Sequence, residues 1–177
     1  KAMFGLAVDV GSTTLSAQLC NLKTGEVIAS AGTMNPQIRF GEDLMSRVSY
    51  LMMNPDDTMN MAHEVRTAIN YLAAQTTNEI GSDPSNIMDV VLVGNPIMHH
   101  LLLGIDPTEL GGAPFALATD KAINTTAEEL DLYFNPSATV YILPCIAGHV
   151  GADTAAVILA YNPMSTKEMT LIIDIGT

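Results

Sequence analysis

Asp9-Val10-Gly11-Ser12-Thr13-Thr14 places a carboxylate, a glycine and three hydroxyl side chains within six residues. A glycine in a strand-to-strand turn lets backbone N–H groups come close to a phosphate, and hydroxyls add further donors. A carboxylate at the end of a strand can hold Mg²⁺ through water, because Mg²⁺ keeps most of its hydration shell. The pattern returns at the far end. Leu6-Ala7-Val8-Asp9-Val10-Gly11-Ser12 is echoed by Leu171-Ile172-Ile173-Asp174-Ile175-Gly176-Thr177: an apolar strand, then Asp, a β-branched residue, Gly and a hydroxyl residue. Average residue usage puts one D-[VI]-G-[ST] by chance in roughly one chain in a hundred of this length. Two copies, each ending a strand-like run, favour phosphate clamping from two sides; the alternative for either copy alone is a plain tight turn.

Gly148-His149-Val150-Gly151-Ala152-Asp153-Thr154 sets two glycines and a carboxylate before an apolar helix. Asp153 could orient a water or a metal there, or serve as the helix N-cap. Val93-Gly94-Asn95-Pro96 is a strand-to-helix turn of the kind where α/β sheets bind ligands, with a well-capped connection as the alternative. His99 and His100 are adjacent in a helix and point to different faces, a poor metal pair, so burial with hydrogen bonds is the expectation. Met52, Met53, Met59 and Met61 cluster at a helix junction; such methionines usually fill a core, and a partner surface is the other reading. Residues 35–43 form a polar, irregular segment that reads as a solvated connection or as a loop over a cleft. No G-x-S-x-G, P-loop lysine motif or Ser/His/Asp array is present, so acyl transfer and P-loop chemistry find no support.

Three strands within residues 3–34 leave no room for a crossover helix, so the chain opens as an antiparallel meander. Leu44, Val48 and Leu51 then mark a helix ended by Pro55, and Ala62, Val65, Ile69 and Leu72 mark a second, with Gly81 as its C-cap. Residues 88–93 read as a buried parallel strand, followed by a helix capped by Asn95-Pro96 and closed by Gly104. Residues 111–124 resist assignment. Thr125 and Glu128 fit a capping box for a short helix, residues 139–143 a strand, 153–161 an apolar helix and 170–175 a final strand. The expected architecture is α/β: a mixed five-stranded sheet with a meander followed by parallel βα units and helices on both faces.

The 177 residues carry 7 Lys+Arg against 19 Asp+Glu, a net charge of −12, which excludes nucleic acid and anionic membrane surfaces as partners. With 48% apolar residues the chain is a folded domain, and its apolar runs are too short to cross a bilayer. Cys20 and Cys145 stand 125 positions apart and cannot hold a zinc or iron–sulfur centre by themselves. Both read as small buried apolar residues, and a cytoplasmic location is the expectation. The chain starts at Lys1 and stops straight after an apolar run, which reads as a piece of a longer protein.

The strand–helix order with D-V-G-S-T-T and D-I-G-T resembles the actin, sugar-kinase and heat-shock-chaperone ATPase superfamily (ASKHA). Longer strings narrow the resemblance: N-P-Q-I-R-F-G-E-D-L-M-S-R-V-S-Y, V-G-N-P-I-M-H-H-L-L-L-G-I-D-P, L-P-C-I-A-G-H-V-G-A-D-T and L-I-I-D-I-G-T. These are similar to the ATP-dependent reductive activators of corrinoid proteins. The resemblance implies a ribonuclease H-like lobe over 1–169, with 170–177 the first strand and the start of the phosphate loop of a second lobe. It implies that Asp9 binds Mg²⁺ through water, that Gly11, Ser12, Thr13 and Thr14 line the first phosphate loop, and that Asp174, Gly176 and Thr177 begin the second. Gly151 and Asp153 would lie at the hinge helix, with Asp9, Asp153 and Asp174 as catalytic carboxylates and Asp174 a second metal contact. It further implies ATP and Mg²⁺ as ligands and a corrinoid protein of a methyl-transfer system as partner. A 2Fe–2S cluster would sit upstream in the parent protein, and a homodimer is left open. A small-molecule kinase of the same superfamily, with Asp153 as base, and a non-catalytic binding module are the competing readings. The fragment alone is expected to bind nucleotide weakly or not at all.

Overall fold

The computed structural model describes residues 3–165 and 167–173. Strands β1 (Phe4–Val10), β2 (Thr14–Asn21) and β3 (Val27–Met34) form the meander, and helices α1 (Leu44–Met53) and α2 (Thr58–Glu79) follow. Then come β4 (Ile87–Gly94), α3 (Pro96–Leu103), β5 (Ile123–Thr126), β6 (Thr139–Ile142) and α4 (Ala152–Tyr161). The strands join in one mixed sheet of order β3-β2-β1-β4-β6-β5. β1 runs parallel to β4, and β4 parallel to β6, while β2, β3 and β5 run antiparallel to their neighbours.

Alternation along the strands decides the layering. Leu6, Val8, Val10, Leu15, Ala17, Leu19, Val90 and Leu92 are each at most 2% exposed and share one core with Met61, Val65, Ile69 and Leu72 of α2. α3 packs against α2 on the same side. The other face of β1 and β2 carries Ala7, Asp9, Ser16 and Gln18, where a cavity of about 360 Å³ also touches Val91, Val93 and Ala156 of α4. α4 therefore lies across from α2 and leaves Val157, Ile158, Leu159 and Tyr161 exposed. Among the described residues, no helix is long and apolar enough to cross a membrane.

The sheet has six strands rather than five. The sixth, β5, contains one apolar residue in four; its ladder with β6 makes it a strand, and that partner is invisible to local periodicity. The capping box exists one residue later than expected. The Thr126 amide donates to Glu129 Oε2 at 3.2 Å and the Glu129 amide to Thr126 Oγ1 at 3.4 Å. It closes a 3₁₀ turn (Glu128–Leu130) instead of a helix, because Asp131 adopts the left-handed region at φ 52° and stops propagation. Residues 170–173 lie in no strand, since among the described residues no other strand runs beside them to supply ladder hydrogen bonds. Asp174, Gly176 and Thr177 lie outside the described residues.

Of the four clustered methionines, Met61 is buried as core filler, whereas Met52, Met53 and Met59 are exposed. Cys145 is buried and Cys20 half-buried.

Replacing Leu19, fully buried between the sheet and α2, by Ala should lower unfolding free energy by about 2–5 kcal/mol in urea titrations. The same change at Leu22, which is 45% exposed, should cost no more than about 0.5 kcal/mol.

Candidate functional site

The carboxyl ends of the parallel strands β1, β4 and β6 open onto three turns, the crevice position where open α/β sheets take ligands. Asp9 stands opposite Val93 and Val10 opposite Gly94, so the β1–β2 hairpin and the Gly94-Asn95 turn emerge side by side. The connection after β6 comes back to meet them. A Cβ on Gly151 would fall 2.7 Å from the Gly94 carbonyl oxygen, 2.7 Å from Asn95 Cα and 2.5 Å from Asp153 Oδ1. Only a glycine allows that approach. A Cβ on Gly11 would likewise lie 2.5 Å from the Thr14 carbonyl oxygen, so the hairpin closes tightly only with glycine there.

The inner side of the hairpin is tied down by two polar residues with no exposure, Asn35 and Arg47. Asn35 Nδ2 donates to the Gly11 carbonyl at 2.8 Å, Arg47 Nη2 to the Ser12 carbonyl at 2.6 Å, and the Asn35 amide to the Thr13 carbonyl at 2.8 Å. Three consecutive carbonyl oxygens are thus taken up on the protein side, away from the solvent side that an anion would approach. Arg47 also donates to the Gly41 carbonyl at 3.0 Å and approaches Gln37 Oε1 at 3.5 Å and the Met98 sulfur at 3.3 Å. Among the described residues it makes no ion pair. Burial pushes its pKa below the ordinary value and Asp43 partly restores it; a guanidinium remains charged. A buried positive charge therefore stands directly behind the hairpin of an otherwise acidic protein.

Local chemistry places these anchors. Asp43 caps α1 by accepting from the Ser46 amide at 2.7 Å, which holds its carboxyl below the usual range. Tyr50 OH donates to Asp57 Oδ2 at 2.5 Å and links α1 to the start of α2. Residues 35–43 are not a solvated connection. Asn35 Oδ1 caps a 3₁₀ helix (Pro36–Phe40) through the Gln37 amide, and Gln37 Nε2 donates to the Met61 carbonyl at 2.8 Å. Arg39 pairs with Glu64 at 2.7 Å rather than with Glu42 or Asp43.

The structure brings together part of the expected set. Asp9 lies on the open face of the sheet, Ser12 is buried, Thr13 and Thr14 are exposed, and Gly151 and Asp153 sit at the end of β4. Asp153 is not the N-cap of α4. Gly151 holds that position, and Asp153 Oδ1 accepts from the Thr154 amide at 2.8 Å within the first turn. Asp174, Gly176 and Thr177 are outside the described residues, so the opposite half of the clamp is not seen. Asn95 accepts from the Met98 amide at 2.9 Å and caps α3, the structural alternative for that turn. Among the described residues, no three His, Cys, Asp or Glu side chains group as a metal cage. The oxygen donors Asp9 and Asp153 nevertheless suit Mg²⁺, which needs one or two carboxylates. Asn35, Gln37 and Arg47 escaped the sequence reading. The available signal was an arginine three residues after Leu44 on the stripe shared by Val48 and Leu51.

His99 and His100 are buried as expected, but differently partnered. His100 Nδ1 lies 2.7 Å from the Pro96 carbonyl and Nε2 accepts from the Ala118 amide at 3.0 Å, which puts the proton on Nδ1. Among the described residues neither His99 ring nitrogen has a hydrogen-bond partner of good geometry, and the Leu143 backbone beside it only partly counters the effect of burial. Burial, aided by His100, pushes the His99 pKa down to about 4, and burial lowers that of His100.

Residues 4–166 match the protein family described as RACo middle region. The chain is 33% identical over its whole length to a corrinoid activation enzyme, RamQ, of Eubacterium limosum, and spans 30% of that protein. It is 23% identical, over 99% of its length, to a [Co(II) methylated amine-specific corrinoid protein] reductase of Methanosarcina barkeri, covering 33% of it. A solved reductive activator for corrinoid,iron-sulfur protein superposes over 99% of the chain with a TM-score of 0.93 and 38% identity, across 28% of its own length. The chain thus spans about a third or less of each of these proteins.

Arg47→Met should lower stability by about 3 kcal/mol, because the Ser12 and Gly41 carbonyls lose their donor. It should also speed amide exchange in residues 11–14 more than in β4. A hydrogen-exchange comparison of the two proteins checks both.

Acid should weaken the fold through the histidines. Their folded pKa values lie below 6.5, so the unfolded chain takes up protons first; stability is complete above about pH 6.5 and falls toward pH 4. His99 alone accounts for on the order of 3 kcal/mol across that window. His99→Leu should be neutral at pH 7 and flatten the acid side of a stability–pH curve.

Proposed function

Since the chain belongs to the RACo middle region family, we propose that it is the first nucleotide-binding lobe of an ATP-dependent reductive activator of a corrinoid protein. In this reading the fold is the ribonuclease H-like lobe of the ASKHA superfamily, and the parent couples ATP hydrolysis to reduction of cob(II)alamin to cob(I)alamin. A 2Fe–2S cluster elsewhere in the parent would supply the electron. The corrinoid part of the reading is supported by the names of relatives aligned along the entire chain.

The nucleotide part is carried by one observation: the 11–14 hairpin has its carbonyls tied inward by Asn35 and a buried Arg47. Such a loop turns its solvent side toward an anion with a positive charge behind it. Mg²⁺ bound to the nucleotide would neutralise developing charge on the phosphates. Asp9 would hold its water shell from the end of β1, and Asp153 would orient a water from beside Gly151. Gly151, pressed against Gly94 and Asn95, passes any movement of α4 directly to this crevice. The exposed apolar residues of α4 are the natural contact for the second lobe, where Asp174, Gly176 and Thr177 would complete the phosphate grip.

In the full-length parent, Asp9→Asn should slow ATP-driven cob(II)alamin reduction by about 100-fold, read from the cob(I)alamin absorbance. The fragment titrated with Mg²⁺ and ATP should bind no tighter than millimolar. Micromolar affinity in the fragment would overturn the half-site account, and an unaffected Asp9→Asn parent would overturn the role of the hairpin.

A further inference from the structure

Met45 and Met52 lie seven residues apart on α1, two turns along one face, and Met59 stands in the first turn of α2. All three lie along the 104–113 segment. A Cβ on Gly111 would sit 3.6 Å from Met45 Cε, Met52 lines a groove with Asp106 and Glu109, and a Cβ on Gly104 would sit 2.7 Å from the Met59 sulfur. The three side chains are 48%, 68% and 56% exposed. Met52, with Leu51 and Pro55, faces Asp106, Thr108 and Glu109 across a groove of about 380 Å³. Met45 and Gly111 line a separate cavity of about 260 Å³ with Asn95 and His149.

Charge around the strip is predominantly negative, and the nearby Arg39, within electrostatic reach of Asp57, is paired with Glu64. Residues 42–59 carry Glu42, Asp43, Asp56 and Asp57, and residues 103–113 carry Asp106 and Glu109. The one cation in those stretches, Arg47, is fully buried. Asp106 spends its carboxylate oxygens on the Thr108 amide and hydroxyl, which fixes its position on the groove wall.

We infer that this strip is a docking surface for a protein partner that presents an amphipathic segment with apolar side chains flanked by Lys or Arg. Unbranched thioethers conform to irregular apolar surfaces, and the carboxylates supply attraction and register. Phosphate backbones and anionic lipid are repelled by the same carboxylates. A second copy of the chain lacks the complement. Among the described residues Arg39 is paired with Glu64, Arg47 and Arg66 are buried, and Lys23, Lys121 and Lys167 are scattered on separate segments. The inference stands apart from the nucleotide reading, since it uses none of the residues assigned there.

The test uses ¹³C-methyl methionine spectra of the chain titrated with an 18-residue helical peptide carrying Leu on one face and Lys on the other. The methyls of Met45, Met52 and Met59 should shift together while those of the exposed Met3, Met34 and Met88 stay in place. A peptide with Glu replacing Lys should produce no shift. Asp106→Asn/Glu109→Gln keeps the turn at Thr108 and should weaken binding about tenfold, as should Met52→Ser; Glu79→Gln/Asp83→Asn, remote in sequence and with the Ser85 cap preserved, should not. No shift with the Lys peptide, shifts spread over all exposed methyls, or equal weakening by both charge pairs would overturn the assignment. So would shifts that follow protein concentration without peptide, which would give the strip to a second copy.

Discussion

Arg47 carries a full positive charge into the interior, and no carboxylate among the described residues pairs with it there. Its donors end on carbonyl oxygens of Ser12 and Gly41. Taking a guanidinium out of water costs several kcal/mol, which its charge-assisted hydrogen bonds to these carbonyls offset. The arrangement persists because neighbouring elements fix it: Asp43 caps α1, Tyr50 ties α1 to Asp57, and Gln37 fastens the 3₁₀ helix to α2. The chain thereby maintains one locus of positive potential within a protein of net charge −12, directly under the β1–β2 hairpin.

Around that locus the geometry is set by close backbone approach. Parallel pairing of β1, β4 and β6 brings their carboxyl ends into one row, and the turns leaving them compete for the same space. Gly11 and Gly151 resolve the competition by presenting no Cβ. A crevice defined by main-chain contact is stiff, as the proposed phosphate site requires. It also ties α4 mechanically to the turn after β4, because Gly151 is both the N-cap of α4 and the residue pressed against Gly94.

The two faces of the sheet are treated unequally. α2 and α3 cover one with a continuous apolar core, while the other meets α4 beside an open cavity and exposes Asp9, Ser16 and Gln18. Met52 of α1 and the 106–113 segment form the acidic groove, so the chain has surfaces of distinct chemistry at the crevice and at the groove. The buried histidines lie on α3. His100 holds the Ala118 amide and so secures residues 113–121 over the start of α3.

Amphipathic period and capping chemistry alone located the meander, both long helices, β4, and the Asn95-Pro96 and Gly104 boundaries of α3. Each of those signals acts within a few residues along the chain, which is why it can be read there. Sequence also marked the Asp9 hairpin and the Gly151-Asp153 turn, because glycine beside a carboxylate or hydroxyl at a strand end is a rare local combination. Folding alone decided that residues 123–126 form a sixth strand, since a four-residue segment with one apolar side chain becomes a strand only through its ladder with β6. It also decided that Asn35 and Arg47 stand behind the hairpin, 24 and 35 residues away from the carbonyls they hold. Polar side chains recognise partners by direction and distance in space, and no period along the chain encodes either.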